Sequence, residues 1–265
     1  MTLCLVTGIS SDVGSYRHVN QDAAFAAPWG AGVADGVGGA PAGDVAAVAL
    51  IRRLAARAQE CRDADDLVMR VQEANHEIAH YVQQDPSREG MSTTLTGLWV
   101  DHAGGLLLAH TGDSRAYVLR EGEFTRQTRD DSFVQALVDH GIVSEADAAT
   151  HPRRNVITAS LRGDALDRVT ISEPVWQAGD RWLLCSDGVS DYVPHDLLAE
   201  TVARAPDPQT AAERVVAVAL EAATRDNATA VVCDLVDGSR DSRMGPPVFA
   251  GAAVVLGDLD GLASA

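Results

Sequence analysis

Four short segments end an apolar run in an aspartate beside a small or amide residue: Val33-Ala-Asp35-Gly36, Thr111-Gly-Asp113-Ser114, Cys185-Ser-Asp187-Gly188 and Thr224-Arg-Asp226-Asn227. A carboxylate at a strand end sits on a rigid frame, and a small neighbour lets backbone and water approach it closely. Hard cations such as Mg²⁺ and Mn²⁺ take this oxygen-only, water-rich coordination. One Asp-Gly pair is an ordinary turn. Four such strand ends in one chain point to divalent-cation chemistry. A fifth segment, Arg17-His-Val-Asn20-Gln21-Asp22, adds an arginine whose planar fork suits two oxygens of a phosphate.

The elements that must position these residues follow from periodicity. The N-terminal residues and the run Ala31–Ala34 read as strands, the latter ending in the glycine-rich turn Asp35-Gly36-Val37-Gly38-Gly39. A helix is expected from Pro41 to about Arg62. A second, Asp65 to Gln84, carries Leu67, Val71, Ala74, Ile78 and Val82 at spacings of three and four, one buried face. Residues 93–100, 106–111 and 115–119 read as strands, with Glu121-Gly122 closing a hairpin. A polar helical stretch from Asp131 to His151 includes Ser144 as an N-cap. Strands at 169–175 and 181–185, helices at 195–203 and 209–223, and a strand at 228–236 complete the pattern. Antiparallel hairpins with helices in separate blocks favour an α+β fold. One domain is expected over residues 1–237, with 238–265 a Gly/Ala/Pro-rich tail, partly disordered.

Composition narrows the function classes. Hydrophobic residues make up 46% of the 265 and aromatics 5%, so the core must be built from Ala, Val and Leu. A net charge of -17 argues against nucleic acid or an anionic membrane as partner. No apolar run approaches the roughly 20 residues needed to cross a bilayer, and the N-terminus has no basic flank, so a cytoplasmic location is expected. Cys4, Cys61, Cys185 and Cys233 are scattered and read as buried free thiols.

Taken in order, Arg-x-x-Asn-x-Asp, Asp-Gly-x-Gly-Gly, Met-x-Thr-Thr, Gly-Asp-Ser-Arg, Ser-Asp-Gly and Asp-Asn resemble the metal-dependent protein phosphatases of the 2C type, in their bacterial single-domain form. The resemblance covers about residues 1–236. It implies a four-layer αββα sandwich, two antiparallel sheets flanked by helix pairs, with two and at most three Mn²⁺ or Mg²⁺ ions at one end. By that analogy Asp35 bridges two metals, the Gly36 carbonyl binds one, and Asp187 and Asp226 complete the first metal's shell. Asp113, Asp187 and Asp191 match a third, weaker metal site. Arg17 matches the phosphate clamp, and Asn20, Gln21, Asp22 and Asn227 stand behind the ligands. The implied activity is hydrolysis of phosphoserine and phosphothreonine by in-line attack of a metal-activated water on phosphorus. The implied partners are phosphorylated proteins, opposing a bacterial Ser/Thr kinase, and a monomer is expected.

Three features stand against a simple reading. Ala40 occupies the place where the family usually has a histidine, a candidate general acid for the leaving alcohol. This motivates a rival reading, a phosphatase-like phosphoprotein-binding module. Gln21 stands where relatives often have Glu, but it can still orient water. His76-Glu-Ile-Ala-His80 spells a zinc-protease motif. Its histidines fall nearly opposite Ile78 and so are expected in solvent, unlike a catalytic zinc site. From Asp130 to about Gly163 the chain resembles the family's flap beside the active site, a place for substrate selection.

Overall fold

The computed structural model describes residues 2–37, 42–57, 61–238 and 244–256. Ala40, with its neighbouring glycines, lies outside them. The chain begins with β1 (Thr2–Asp12), β2 (Asp22–Ala27) and β3 (Gly30–Asp35), followed by helices α1 (Gly43–Arg57) and α2 (Ala64–Gln84). Next come β4 (Leu95–Val100), β5 (Leu106–Thr111), β6 (Arg115–Arg120) and β7 (Glu123–Arg126), then short helices α3 (Phe133–Asp139) and α4 (Glu145–Ala148). β8 (Thr170–Ser172), β9 (Arg181–Cys185), α5 (Asp187–Ser190), α6 (His195–Arg204), α7 (Pro208–Glu221) and β10 (Ala228–Gly238) follow, and the described chain closes with β11 (Val248–Gly251) and α8 (Ala252–Val255).

The strands form two antiparallel sheets, ordered β1-β10-β9-β6-β7 and β11-β2-β3-β4-β5-β8. Leu3, Leu5, Val33, Leu98, Leu108, Trp182 and Val231 fill the space between them. The outer face of the six-stranded sheet packs Phe25, Trp29 and Trp99 against Leu50, Ile51, Leu67 and Ile78 of α1 and α2. The five-stranded sheet packs Leu183 and Val232 against Leu198, Val202, Val215 and Ala219 of α6 and α7. The result is the expected αββα sandwich. Both sheets are covered on both faces, which is why β2, Asp-Ala-Ala-Phe-Ala-Ala, is buried at every position and shows no polar alternation.

Local chemistry accounts for the element ends. The Asp63 side chain accepts from the Asp66 backbone N–H and caps α2, whose stripe is buried at Leu67, Val71, Ala74 and Ile78 and half-buried at Val82. The Glu121-Gly122 turn joins β6 to β7 with both residues in the left-handed region, φ 52° and 86°. Ser144 caps α4 through the Asp147 N–H. The strand expected over 169–175 pairs only over Thr170–Ser172, because Pro174 offers no N–H to the ladder.

One expectation is corrected. Past residue 237 the chain is not simply a tail: Val248–Gly251 pairs antiparallel with β2, the strand that begins at Asp22. Ala252 and Ala253 are buried against the α1 side of the core. Arg52 of α1 lies 4.0 Å over the Phe249 ring and donates to the Ala253 carbonyl at 2.6 Å.

Candidate active site

Asp22 opens β2 and Asp35 closes β3, and the antiparallel register sets them directly opposite each other. The Met91-Ser-Thr-Thr94 segment holds Asp35 by its backbone. Its N–H donates to Thr94 Oγ1 at 3.0 Å, and its carbonyl accepts from Thr93 Oγ1 and the Thr94 N–H, both at 2.9 Å. Thr94 Oγ1 also pairs with Ser114 Oγ at 2.7 Å, tying the Gly112-Asp113-Ser114 turn to the same support. The sequence marked this threonine motif as part of the pattern without a role. Sequence alone could have suggested only that adjacent buried threonines need partners.

Gly36 and Gly188 are required for contact. A β-carbon on Gly36 would overlap the Gly43 backbone, and one on Gly188 would overlap the Asn227 carbonyl. The second approach brings the turn carrying Asp187 against Asp226-Asn227. Ser186, just before it, donates to Asp22 Oδ2 at 2.7 Å and accepts from the Thr229 N–H at 3.1 Å. Thus β2, β3, β9 and β10 deliver Asp22, Asp35, Asp187 and Asp226 to one end of the sandwich.

These carboxylates are unsettled without positive charge. Burial, and then the facing Asp22 charge, hold Asp35 well above the usual carboxylate range. Burial, with Asp113 next in effect, does the same to Asp187. Burial raises Asp22 to about 6, against the Ser186 hydroxyl. Burial raises Asp113 to about 7, with Asp130 and Asp191 adding to it, and burial also raises Asp191. Asp187 Oδ1 is buried with no hydrogen-bond partner, a position that ordinarily demands one. Among the described residues, no three Asp, Glu, His or Cys side chains already close around one point. Mg²⁺ and Mn²⁺ take oxygen donors and keep waters of their own. The donor set is all oxygen and fits such an ion.

Arg17 Nη2 donates to Asp226 Oδ2 at 2.8 Å, so the expected phosphate clamp stands on an expected metal ligand. Asn20 donates to Ser11 Oγ at 2.9 Å and accepts from the Asp22 N–H. Gln21 acts here through its backbone, its carbonyl accepting from the Gly36 N–H and its N–H donating to Asn227 Oδ1. Asp191 is held by Arg115, at 3.5 Å, and by Arg154, at 3.9 Å. Arg115 also forks onto Asp130, at 2.8 Å through Nη2, and Arg126 grips the same carboxylate. This arginine–carboxylate knot at the start of the flap went unread in the sequence, since its members are spread over 76 residues. The flap is further pinned by Asp131 N–H to the Gly112 carbonyl, at 2.7 Å, and by the Thr93–Leu161 bridge. His18 is exposed, and so are His76 and His80, as expected of a chance motif on a solvent face.

Residues 17–224 match the protein phosphatase 2C family. The chain belongs to that family. It is 40% identical, over 99% of its length, to the serine/threonine protein phosphatase PstP of Mycobacterium tuberculosis, of which it spans 50%. It is 34% identical over 63% of its length to the serine/threonine phosphatase stp of Listeria innocua, covering 69% of that protein. Among solved structures, the catalytic domain of PstP in complex with two manganese ions superposes with a TM-score of 0.79 at 39% identity, covering 89% of this chain and all of that one. The phosphatase MsPP of Mycobacterium smegmatis, solved with cacodylate, gives 0.79 at 33% identity over 87% of this chain and 98% of its own. The 2C fold accounts for both sheets and for the strand ends that carry the aspartates. The chain spans about half the length of the mycobacterial relative, and among the described residues no helix is long and apolar enough to cross a membrane.

Proposed function

We propose that this protein phosphatase 2C chain is a Mn²⁺- or Mg²⁺-dependent phosphatase that hydrolyses phosphoserine and phosphothreonine in proteins. The observation that carries the reading is Arg17 paired to Asp226 beside the half-buried, mutually repelling Asp35 and Asp187. Asp35, the Gly36 carbonyl, Asp187 and Asp226 would hold two divalent ions, and Asp113 and Asp191 a third with Asp187. Bound there, such ions supply a water of lowered pKa and neutralise charge on phosphoryl oxygens. Asp22, fixed by Ser186, backs Asp35 from the neighbouring strand. Arg17 lends its fork to two phosphoryl oxygens, orienting phosphorus for in-line displacement.

The physiological partners in this reading are phosphorylated proteins, their phosphates placed by a Ser/Thr kinase that the enzyme opposes. The flap, anchored by the Arg115–Asp130–Arg126 knot, is where substrates would be told apart. Ala40, in the histidine's usual place, predicts weaker action on esters whose leaving alcohol needs a proton.

Turnover of p-nitrophenyl phosphate and of a phosphothreonine peptide, with Mn²⁺, Mg²⁺ or EDTA, tests this in wild type and Asp187→Ala. Both substrates should turn over with metal and fail in EDTA and in the variant. Aryl ester turnover alone would keep the metal centre and remove protein dephosphorylation. Inert metal-loaded wild type would replace the enzyme by a phosphoprotein-binding module.

A further inference from the structure

Arg17 sits in a loop, residues 13–21, that buries little of itself. Tyr16 is 61% and Val19 55% exposed. Apolar burial therefore does not hold it, yet a phosphate-gripping arginine must be placed to within a fraction of an ångström. Its seat is the segment 225–227. Gly14, at φ 74°, lies so close over Asp226 that a β-carbon there would stand 2.6 Å from the Asp226 carbonyl oxygen. The Arg225 guanidinium lies 5.2 Å over the Tyr16 ring. Between them, the Asn227 side chain, 3% exposed, is spent wholly on this loop. Its amide donates to the Val13 carbonyl at 2.9 Å and the Val19 carbonyl at 3.1 Å, and its oxygen accepts from the Gln21 N–H at 2.8 Å.

Two donors and one acceptor at one side-chain end are what a primary amide offers and a carboxylate or hydroxyl cannot. We propose that Asn227 is the positioning residue for Arg17: it closes the 13–21 loop with three backbone hydrogen bonds and so sets the guanidinium over Asp226. The proposal rests on the phosphate-binding reading of Arg17. It joins the two halves of the site, because the strand end that presents Asp226 to a cation also locates the arginine for phosphate. Truncation at 227 leaves the cation side largely intact, since the bond from Asn227 to Asp226 Oδ1, at 2.9 Å, comes from the backbone N–H.

The test compares wild type, Asn227→Ala, Arg17→Ala and the double variant. Mn²⁺ affinity is read by calorimetry, and inorganic phosphate affinity by competition against p-nitrophenyl phosphate. Asn227→Ala should weaken phosphate roughly 10-fold, the lower end for a supporting residue, with Mn²⁺ affinity near wild type. Added to Arg17→Ala it should do little more, as expected of residues acting as one unit. Unchanged phosphate affinity in Asn227→Ala, or full additivity in the double variant, overturns the proposal while Arg17 keeps its role. Unchanged phosphate affinity in Arg17→Ala overturns the clamp and the proposal together. Should Asn227→Ala not fold, Gly14→Ala disturbs the same seat from the loop side and carries the same expectation.

Discussion

Asp22 and Asp35 face each other across the β2–β3 ladder, Asp22 buried and Asp35 half-buried at the strand end. Like charges opposite one another on a sheet repel, and burial removes the water that would screen them. Asp22, Asp35, Asp113 and Asp187 all have folded pKa values above the unfolded value near 3.8. Between that value and its folded pKa, each such group binds more protons folded than unfolded, so stability falls as pH rises. Buried His110, whose pKa is lowered, works the other way up to about 6.5, outnumbered by the raised carboxylates. The metal-free chain should therefore melt at a lower temperature at pH 7 than at pH 5.5. A melting temperature that rises over that interval in EDTA would contradict it.

Divalent cations should reverse that loss. A ligand that binds only the folded chain adds about 2.7 kcal/mol at one hundred times its dissociation constant. Mn²⁺ at pH 7 should raise the melting temperature of wild type clearly and that of Asp187→Asn little, since the unpartnered Asp187 Oδ1 is the group that most needs a cation.

Thr94→Val keeps the volume and removes the hydroxyl that serves both the Asp35 N–H and Ser114 Oγ. Each buried group left unsatisfied costs about 1–3 kcal/mol. Urea unfolding should show a loss of that order, and Mn²⁺ affinity should fall roughly 10–100-fold as Asp35 loses its support.

Arg115→Met should leave Asp130, which is 5% exposed, with Arg126 as its remaining ion-pair partner. Breaking a buried pair from one side costs about 3–5 kcal/mol. Denaturant midpoints measure it, and adding Asp130→Leu and Arg126→Met to Arg115→Met should recover part of the loss because the knot then holds no lone buried charge.

Deleting residues 244–265 should uncover the β2 edge and remove Arg52's contacts to Phe249 and Ala253. Equilibrium unfolding should register a loss of roughly 2–5 kcal/mol, the scale of emptying a core position. A truncated chain as stable as the full one would show that β11 is dispensable.

How much of this was legible beforehand depended on distance along the chain. The α2 stripe, the Ser144 cap, the Glu121-Gly122 turn and the aspartates at the ends of β3, β5 and β9 arise from neighbours a few residues apart and were each read from their own segment, whereas Asp226 precedes β10 and does not end a strand. The six ordered motifs identified the family and its four layers. β11 was missed because four residues of Val, Phe, Ala and Gly carry no periodicity of their own, and only the open edge of β2 makes them a strand.

The sequence by itself determined which residues could hold cations and phosphate, because residue type and local turn chemistry are written in adjacent positions. Only the tertiary structure decided how they work together. Arg17 meets Asp226 across 209 residues, Gln21 meets Asn227 across 206, and Ser186 meets Asp22 across 164. Such pairings are selected by the packing of whole sheets, where burial makes an unpartnered polar group costly, and no short window of sequence contains both partners.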